Sequence, residues 1–318
     1  MNTQLLRSVF TLFCALLVAT SAYSAAIYNH NFNNKNFSAH TSINSNMTAV
    51  WSGIGDTPYS RDDGGTPGMA LYAHNHVYVL TITMKERFQA EITSISFRRF
   101  SGDNATMQIK INEANYGSSF TATNSLTTIT RTATVSKLRN RIVIKIAVTN
   151  GNTVNNYSHI DDFTINGTVS GYDPAAEATP DGNGILYVDA NVNTPGDGSS
   201  WNKALKRVYY ATRAAAAESA IKQVWVAGGT YETEEDNTPF TLTDGVAYYG
   251  GFYGGESDLR EREIAYNQTI LKGRGGHVIA ASGAGASTRL DGFLVSDGTG
   301  LEAGGTRQGG GMHLSNSS

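Results

Sequence analysis

The sequence predicts an all-β protein in two parts, an antiparallel β-sandwich followed by a coil of short strands that starts with one α-helix. Composition is the first indication, because 34 glycines and 16 tyrosines accompany only 16% charged residues, as in chains rich in strands and turns. The second is an alternation of apolar and polar residues with period two up to residue 170. The third is a new pattern after residue 184, a helical stretch followed by short apolar runs between glycines. The length of 318 residues suits about two domains.

The first 24 residues have the pattern of a secretory signal peptide. Arg7 supplies the positive charge, an apolar run extends from Val9 to Ala19, and small residues flank Tyr23 where a signal peptidase reads the chain. The apolar run is too short to span a membrane. We therefore predict cleavage after Ser24 and export to the extracellular space or the outer cell surface, with no transmembrane segment in the mature chain.

Cys14 is the only cysteine of the sequence and lies inside this signal. The residues before it, Leu12 and Phe13, do not fit the pattern of a lipid-modified cysteine. The mature chain therefore has no cysteine, which excludes disulfides, thiolate catalysis and cysteine-bound metals. A net charge of -3 gives no basic surface for nucleic acid, so nucleic acid is not a predicted partner.

Residues 27–170 are predicted to form the β-sandwich. In 76–84, Tyr78 and Leu80 fall on one face, while in 90–97 Ile92 falls opposite Ile95 and Phe97. Glycine, asparagine and serine separate such segments, as in a sandwich, and no helix is predicted here. Period-two alternation is found in five segments: 76–84, 90–97, 105–112, 141–148 and 161–169.

Two motifs at the ends of this region resemble a jelly-roll-like module found at the start of many secreted and surface proteins of bacteria. They are the opening "IYNHNFNN" and the closing "HIDDFTINGTV", in which an Asp-Asp pair precedes an aromatic residue and a short strand. The resemblance implies a carbohydrate-binding or accessory role, although a fold alone does not establish a function. Trp51, Tyr59 and Tyr72 are candidates for stacking on sugar rings, but aromatic strand residues more often belong to the core.

Residues 171–184 are predicted to be a linker. The segment contains Pro174 and Pro180, several alanines and acidic residues, and no periodicity. Such a segment stays solvated and separates domains.

Residues 185–318 show the pattern that begins a right-handed parallel β-helix. Apolar residues from Trp201 through Leu205 and Val208 to Ala215 recur at helical spacing, and Ser199 or Ser200 is the predicted N-cap. Each later apolar run buries its side chains against the turns above and below, and the helix covers the first edge. The predicted strands lie within 223–231, 240–252, 268–273, 277–283 and 288–298.

The order of several motifs in this region resembles that of bacterial surface β-helix proteins, which look pectate-lyase-like in fold and are related to polymorphic outer-membrane proteins and adhesins. In chain order the motifs are "YVDANVNTPGDGSSWNKAL", "VWVAGGTYE", "FTLTDGVAYYGGFYGGESDLREREI", "QTILKG", "LDGFLVSDG" and "GGGMHLSNSS". In such proteins "GGGM" opens a series of further turns. The resemblance therefore implies that the chain is a truncated, N-terminal part of a longer protein, and we predict fraying from about Gly304 onward.

Two motifs suggest ligand chemistry but have simpler interpretations. Asp189, Asn191 and Asn193 alternate as calcium ligands would, yet the glycine and the bidentate acid of an EF-hand loop are missing. A turn before the helix is the favoured interpretation. The run "GGFYGGE" at 250–256 lacks the Lys-Ser/Thr pair and the helix of a phosphate-binding loop, so corner glycines explain it better.

Polysaccharide lyases of the pectate-lyase-like fold use a Lys or Arg base and calcium held by acids. The charged candidates here are Lys272, Arg274, His277, Arg289 and Asp291. They lie on early turns, and Asp291 precedes a glycine as in a turn. The sequence therefore predicts no catalytic, cofactor-binding or metal-binding residue and no cofactor in this chain.

Two functions remain open from the sequence. The favoured one is a non-enzymatic, secreted or cell-surface β-helix protein that acts in adhesion or in binding polysaccharide or cell-surface glycans. The alternative is a polysaccharide-degrading enzyme, a lyase or a glycoside hydrolase, whose active turns lie beyond Ser318.

Overall fold

The computed structural model of the chain describes residues 25–32, 37, 40–54, 59–63, 66–72, 76–101, 105–149, 157–234, 238–303 and 306–317. The predicted signal peptide, residues 1–24, lies outside these residues. The chain divides into two compact units between Gly171 and Tyr172. No helix within the described residues is long and apolar enough to cross a membrane.

The first unit consists of strands that pair antiparallel. The strands are β1 (Ala25–His30), β2 (Ser42–Ile43), β3 (Met47–Ile54), β4 (Tyr59–Asp63), β5 (Thr66–Tyr72), β6 (His76–Met84), β7 (Phe88–Ser101), β8 (Thr106–Ile111), β9 (Ala114–Asn115), β10 (Phe120–Thr121), β11 (Thr127–Arg139), β12 (Arg141–Thr149) and β13 (Tyr157–Gly171). One sheet has the strand order β11-β7-β13-β1-β2, with β5 beside β13 and β4 beside β5. The other has the order β10-β8-β12-β6-β3, with β9 beside β8.

Both sheets contribute to one apolar core, which makes this unit a β-sandwich. Tyr78 and Leu80 on β6 are fully buried, as their alternation predicts. On the other sheet Phe97 and Phe163 are fully buried, and Phe163 meets Trp51 of β3 edge to face with ring centroids 4.9 Å apart. The predicted all-β class and the sandwich are confirmed.

The predicted alternation is wrong in the middle of β7. Ile92, Ile95 and Phe97 are all fully buried, although Ile92 has the opposite parity. The pairing with β13 shifts there, since Asn166 lies opposite Ser94 whereas Gly167 lies opposite Ile92. The extra residue forms a β-bulge, which moves the next side chains to the other face of the strand.

Residues 171–184 were predicted to be a solvated linker, but Gly171 ends β13 and the segment that follows it packs on the second unit. Ala175 is buried in the core cluster of the second unit, together with Leu186. Asp173 forms an ion pair with Arg213 at 2.8 Å, and the Thr179 N–H donates to the Asp197 carbonyl at 2.7 Å. These contacts with residues distant in sequence hold the segment in place. The sequence did not predict them, because the segment itself shows no periodicity.

The elements of the second unit are β14 (Ile185–Val188), a 3₁₀ helix (Trp201–Lys203), α1 (Val208–Ala217), β15 (Gln223–Ala227), β16 (Gly229–Glu232), β17 (Phe240–Leu242), β18 (Ala247–Phe252), a second 3₁₀ helix (Leu259–Glu261), β19 (Thr269–Lys272), β20 (Ile279–Ser282), β21 (Arg289–Asp291), β22 (Phe293–Ser296), β23 (Leu301–Ala303), β24 (Thr306–Gln308) and β25 (Met312–Ser315). Ten of these strands pair in parallel in three sheets, β14-β15-β18-β21, β16-β19-β22 and β17-β20-β25, while β23 and β24 pair antiparallel with each other. From β15 to β20 the chain visits the three parallel sheets in turn and then repeats the order.

Side chains from all three parallel sheets share one core. Val224 of the first sheet, Leu271 of the second and Ile279 of the third belong to the same buried cluster. The helix α1 adds Val208 and Ala211 to it and packs against β14 and β17. Helix α1 is only ten residues long and would be marginal in isolation. Burial of its apolar face, which includes Val208 and Ala211, accounts for its formation.

The predicted start of the helix is wrong. Helix α1 begins at Val208 and not after Ser199 or Ser200, and the Ser200 side chain caps nothing. Leu205 forms an isolated parallel bridge with Val188. Its extended backbone interrupts the helical pattern that the apolar spacing suggests.

The segment predicted to fray from about Gly304 onward contains a paired strand. Residues 304 and 305 lie outside the described part, but β25 pairs in register with β20. Met312 and Leu314 on β25 are 38% and 55% exposed. The backbone there is held by the ladder, while these two apolar side chains gain little burial.

Candidate functional site

Trp51, a predicted sugar-stacking residue, is part of the sandwich core. Its ring is 6% exposed, and its indole N–H donates to the Tyr28 hydroxyl at 2.6 Å. Burial, only partly offset by this bond, raises the pKa of Tyr28 well above its ordinary value. A ring held this way has no face for a ligand. The side chains of Tyr59 and Tyr72 lie outside the described part of the structure.

A buried serine contacts a histidine in the sandwich. Ser158 Oγ lies 2.5 Å from His76 Nε2 and 2.6 Å from the Tyr78 hydroxyl. All three residues are buried, so a substrate does not reach the serine. This group satisfies buried polar atoms inside the core.

The predicted turn at residues 189–193 is present. Asp189 Oδ1 accepts from the Asn191 backbone N–H at 2.8 Å, which is the geometry of an Asx turn. The Tyr231 hydroxyl holds the same turn by accepting from the Ala190 N–H at 3.1 Å. Among the described residues no cluster of three or more metal-ligating side chains exists.

Three of the charged residues weighed for lyase chemistry, Lys272, Arg274 and Asp291, are paired with other charged side chains. Lys272 and Arg274 both pair with Glu232, the Arg274 Nε bond being 2.9 Å long. Asp291 Oδ1 accepts from Arg262 Nη1 at 3.3 Å, and Arg289 is exposed. They do not form the base and calcium ligands of a lyase site.

His277 belongs to a pair that its sequence position does not reveal. Its Nδ1 lies 2.6 Å from the Gly309 carbonyl, and since a carbonyl only accepts, Nδ1 carries the proton. Its ring stacks on that of His313 with centroids 4.6 Å apart.

Two other aromatic residues are the most exposed large apolar side chains in the described structure. Tyr253 is 84% and Tyr266 is 85% exposed. Both line one open cavity of about 620 Å³, which also has Asn267 and Gln268 in its wall. A smaller cavity of about 400 Å³ adjoins it and shares Tyr253 and Asn267. We call the two cavities together the tyrosine groove. They are lined by Asn191, Gly228, Gly229, Phe252, Tyr253, Gly255, Glu256, Glu261, Glu263, Ala265, Tyr266, Asn267 and Gln268.

The loop that carries Tyr253 is held by Glu256. One carboxylate oxygen accepts from the Tyr253 N–H, and the other accepts from the Gly254 and Gly255 N–H groups at 2.9 Å each. Gly254 has a φ of +113°, which favours glycine. Burial opposes ionisation of Glu256, but the three amide donors outweigh it and hold the pKa of the carboxyl below its ordinary value.

Both ends of this loop are also fixed to the core. Phe252 is fully buried and stacks on Trp225, with ring centroids 4.6 Å apart and planes at 14°. At the other end the Trp201 indole N–H donates to the Glu256 carbonyl at 2.9 Å. Tyr253 therefore projects from a backbone that is already ordered before any ligand arrives.

The segment with Tyr266 is tied to the same strand. The Tyr266 N–H donates to the Glu263 carbonyl at 2.9 Å, and the Glu263 N–H donates to the Gly251 carbonyl at 3.0 Å. A Cβ at Gly251, where φ is +92°, would lie 2.6 Å from the Ile264 side chain. Only glycine therefore allows these two segments to approach so closely.

Polar side chains of the groove are available to a ligand. The side-chain amides of Asn191, Asn267 and Gln268 make no hydrogen bond within the described residues. Each amide offers one acceptor and two donor hydrogens. The groove combines two exposed aromatic rings with these groups, and no lysine or arginine is among its described lining residues.

Sequence reasoning missed Tyr253 and Tyr266. The available signal was local, a tyrosine between two Gly-Gly pairs and the run Tyr-Asn-Gln at 266–268, both outside the periodic strands. Their proximity depends on the packing of residues 263–267 against the end of β18.

Comparisons with known proteins give only distant structural similarity. No protein-family model matches the sequence, and no curated protein matches it. The CBM36-1 domain of a multidomain xylanase from the hindgut metagenome of Trinervitermes trinervoides is 22% identical, with 39% of this chain and 98% of that chain covered and a TM-score of 0.29. The CBM22-1 xylan-binding domain from Paenibacillus barcinonensis Xyn10C is 10% identical, with 46% and 97% covered and a TM-score of 0.34. The catalytic domain of a GH87 α-1,3-glucanase in complex with nigerose is 12% identical, with 86% and 48% covered and a TM-score of 0.24.

Proposed function

We propose that this chain is a secreted or cell-surface protein that binds a glycan in the tyrosine groove and does not act on it as an enzyme. The observation that carries the proposal is the pair Tyr253 and Tyr266, both more than four-fifths exposed on one cavity with unpaired side-chain amides. Exposed apolar side chains that lie together on one surface are typical of interaction sites, whereas singly exposed ones are ordinary.

The chemistry of the groove suits a sugar. One face of a pyranose ring carries C–H groups that pack on an aromatic ring, while its hydroxyls both donate and accept hydrogen bonds. Tyrosine rings match the first property and the amides of Asn267 and Gln268 match the second. A volume of about 620 Å³ is within the usual range for small-ligand sites. A nucleotide fits less well, because no described cation lines the groove to hold a phosphate.

The architecture proposed for the second unit is the start of a right-handed parallel β-helix, with α1 covering its first turn. Its support is the parallel pairing and the order in which the chain visits the three sheets. The first unit is proposed to be a jelly-roll-like module. The signal-peptide pattern of residues 1–24 and the resemblance to surface adhesins support export and a place at the cell surface.

The charged residues weighed for lyase chemistry do not favour catalysis in the tyrosine groove. Lys272 and Arg274 are paired with Glu232, and Asp291 is paired with Arg262. A lyase base has to be close to its substrate and able to take a proton. None of these pairs borders the tyrosine groove.

Calorimetric titration of the mature chain with neutral hexasaccharides tests the proposal. Tyr253→Ala and Tyr266→Ala should each weaken binding about two- to tenfold, the loss of one aromatic contact of about 0.5–1.5 kcal/mol. Thermal stability should change little, because both side chains are exposed. The control is Leu294→Ala, which removes a half-exposed apolar side chain outside the groove. Equal affinities for the two tyrosine variants, the control and the unchanged chain would contradict the proposal.

A further inference from the structure

We infer that the tyrosine groove takes uncharged sugar units and excludes polyuronates, and that Glu263 is a specificity-determining residue for this choice. The inference rests on the proposed function and concerns the class of glycan. It follows from the charges that surround the two exposed tyrosines.

Acidic side chains line one end of the groove. The smaller cavity is bordered by Glu256, Glu261 and Glu263 beside Tyr253 and Asn267. Backbone amides bind two of these carboxylates, since Glu256 holds its own loop and Glu261 accepts from the Ser257 N–H at 2.8 Å. Hydrogen bonds from neutral amides stabilise a negative charge but do not cancel it.

Glu263 differs from the other two carboxylates. Its backbone is fixed by bonds at both its N–H and its carbonyl, but its exposed side chain makes no hydrogen bond or ion pair within the described residues. Substitution by glutamine therefore removes a charge from the groove without removing a contact that supports the fold.

The nearest cations in the sequence are engaged elsewhere. Arg260 is paired with Asp258 at 2.8 Å. The Arg262 side chain is only 12% exposed, pairs with Asp291, and has its guanidinium 4.9 Å from the centre of the Tyr249 ring. Neither is among the lining residues of the two cavities. The Arg262 guanidinium also lies 5.8 Å from the centre of the Phe252 ring, but each arginine is already paired with an aspartate, which offsets its charge toward a ligand.

The consequence is a repulsion that depends on the ligand. A polyuronate carries one negative charge on every sugar, and a chain lying on Tyr253 would extend into the smaller cavity, which Tyr253 shares with the three carboxylates. Charges closer together than the Debye length, about 8–10 Å, repel each other with little screening. A neutral chain meets no such repulsion, and its hydroxyls can donate to the same oxygens.

The test compares charged and uncharged forms of one oligomer. Calorimetric titration of the mature chain uses hexagalacturonate, the same hexamer fully methyl-esterified, and a panel of neutral hexasaccharides, in 20 mM and 500 mM NaCl. We expect neutral and esterified ligands to bind at both salt concentrations, and hexagalacturonate to bind on the order of fivefold more weakly at low salt. The difference should shrink at high salt.

Glu263→Gln should raise the affinity for hexagalacturonate about two- to fivefold and leave that for the esterified hexamer unchanged. Glu302→Gln, an exposed acid that lines neither cavity, is the control and should change neither. Equal binding of acid and ester, failure of both forms while neutral sugars bind, or no effect of Glu263→Gln would overturn the inference alone. Failure of every sugar to bind would overturn the proposed function as well.

Discussion

Glu256→Gln removes the charge that holds the loop of Tyr253. The carboxylate accepts three backbone N–H bonds, from Tyr253, Gly254 and Gly255, while a glutamine amide has one acceptor oxygen and an NH₂ group that repels the remaining donors. A hydrogen bond to a charged group contributes about 1.5–3 kcal/mol and a neutral one about 0.5–1.5 kcal/mol. Because the loop is partly exposed and water replaces a lost acceptor, we expect a loss of about 1–2 kcal/mol in the local stability of the loop.

The same change should weaken glycan binding through the order of the loop that carries Tyr253. If the loop is loosened, the Tyr253 side chain becomes ordered only when the ligand binds. This ordering costs about 0.5–1.5 kcal/mol of binding free energy, which lowers the affinity about two- to tenfold. Calorimetry measures the affinity. Hydrogen exchange at the Gly254 and Gly255 amides measures how often the loop opens, and both amides should exchange faster in Glu256→Gln. Glu302→Gln is the matched control. Unchanged exchange at both glycines in Glu256→Gln would refute the assigned role of the carboxylate.

Three further predictions follow from individual contacts. Trp51→Phe deprives the Tyr28 hydroxyl of a buried donor and should destabilise the sandwich by about 1–3 kcal/mol in urea unfolding followed by circular dichroism; an unchanged midpoint would contradict the core role of Trp51. Gly251→Ala places a methyl group against the Ile264 side chain at a φ of +92°. It should lower the unfolding temperature of the second unit and abolish glycan binding. Retained binding would show that the groove tolerates the added methyl group. Because the pKa of Glu256 is depressed, its carboxylate stabilises the loop fully above the ordinary pKa of 4.5, and this stabilisation is lost as the pH falls through the lower pKa of the folded state. Glycan affinity should therefore be constant from pH 7 to pH 5 and fall below pH 4. A loss of affinity that is already complete at pH 5 would contradict this cause.

Local patterns were sufficient for most strands of the sandwich. Tyr78 and Leu80 are buried on one face of β6, as a period of two requires. The bulge in β7 was not predictable, because the extra residue is defined only by the partner strand, where Asn166 faces Ser94 and Gly167 faces Ile92. Alternation describes an isolated strand, and a bulge belongs to a pair of strands.

The second unit shows the same division between local and long-range information. The helical spacing around Val208 predicted α1, but its start was wrong because Leu205 pairs with Val188, seventeen positions earlier. The grouping of Tyr253 and Tyr266 in one groove could not be predicted from the sequence for a related reason. Neither residue is part of a periodic pattern. The two segments are brought together by the packing of Ile264 against Gly251 and by the bond from the Glu263 N–H to the Gly251 carbonyl.

The most direct test of the glycan-binding groove is a crystal structure of the mature chain with a bound neutral hexasaccharide. We predict sugar rings packed on Tyr253 and Tyr266, with hydroxyls hydrogen-bonded to the side-chain amides of Asn267 and Gln268. A hexasaccharide bound elsewhere on the protein, with both tyrosine rings exposed to solvent in the complex, would contradict the account.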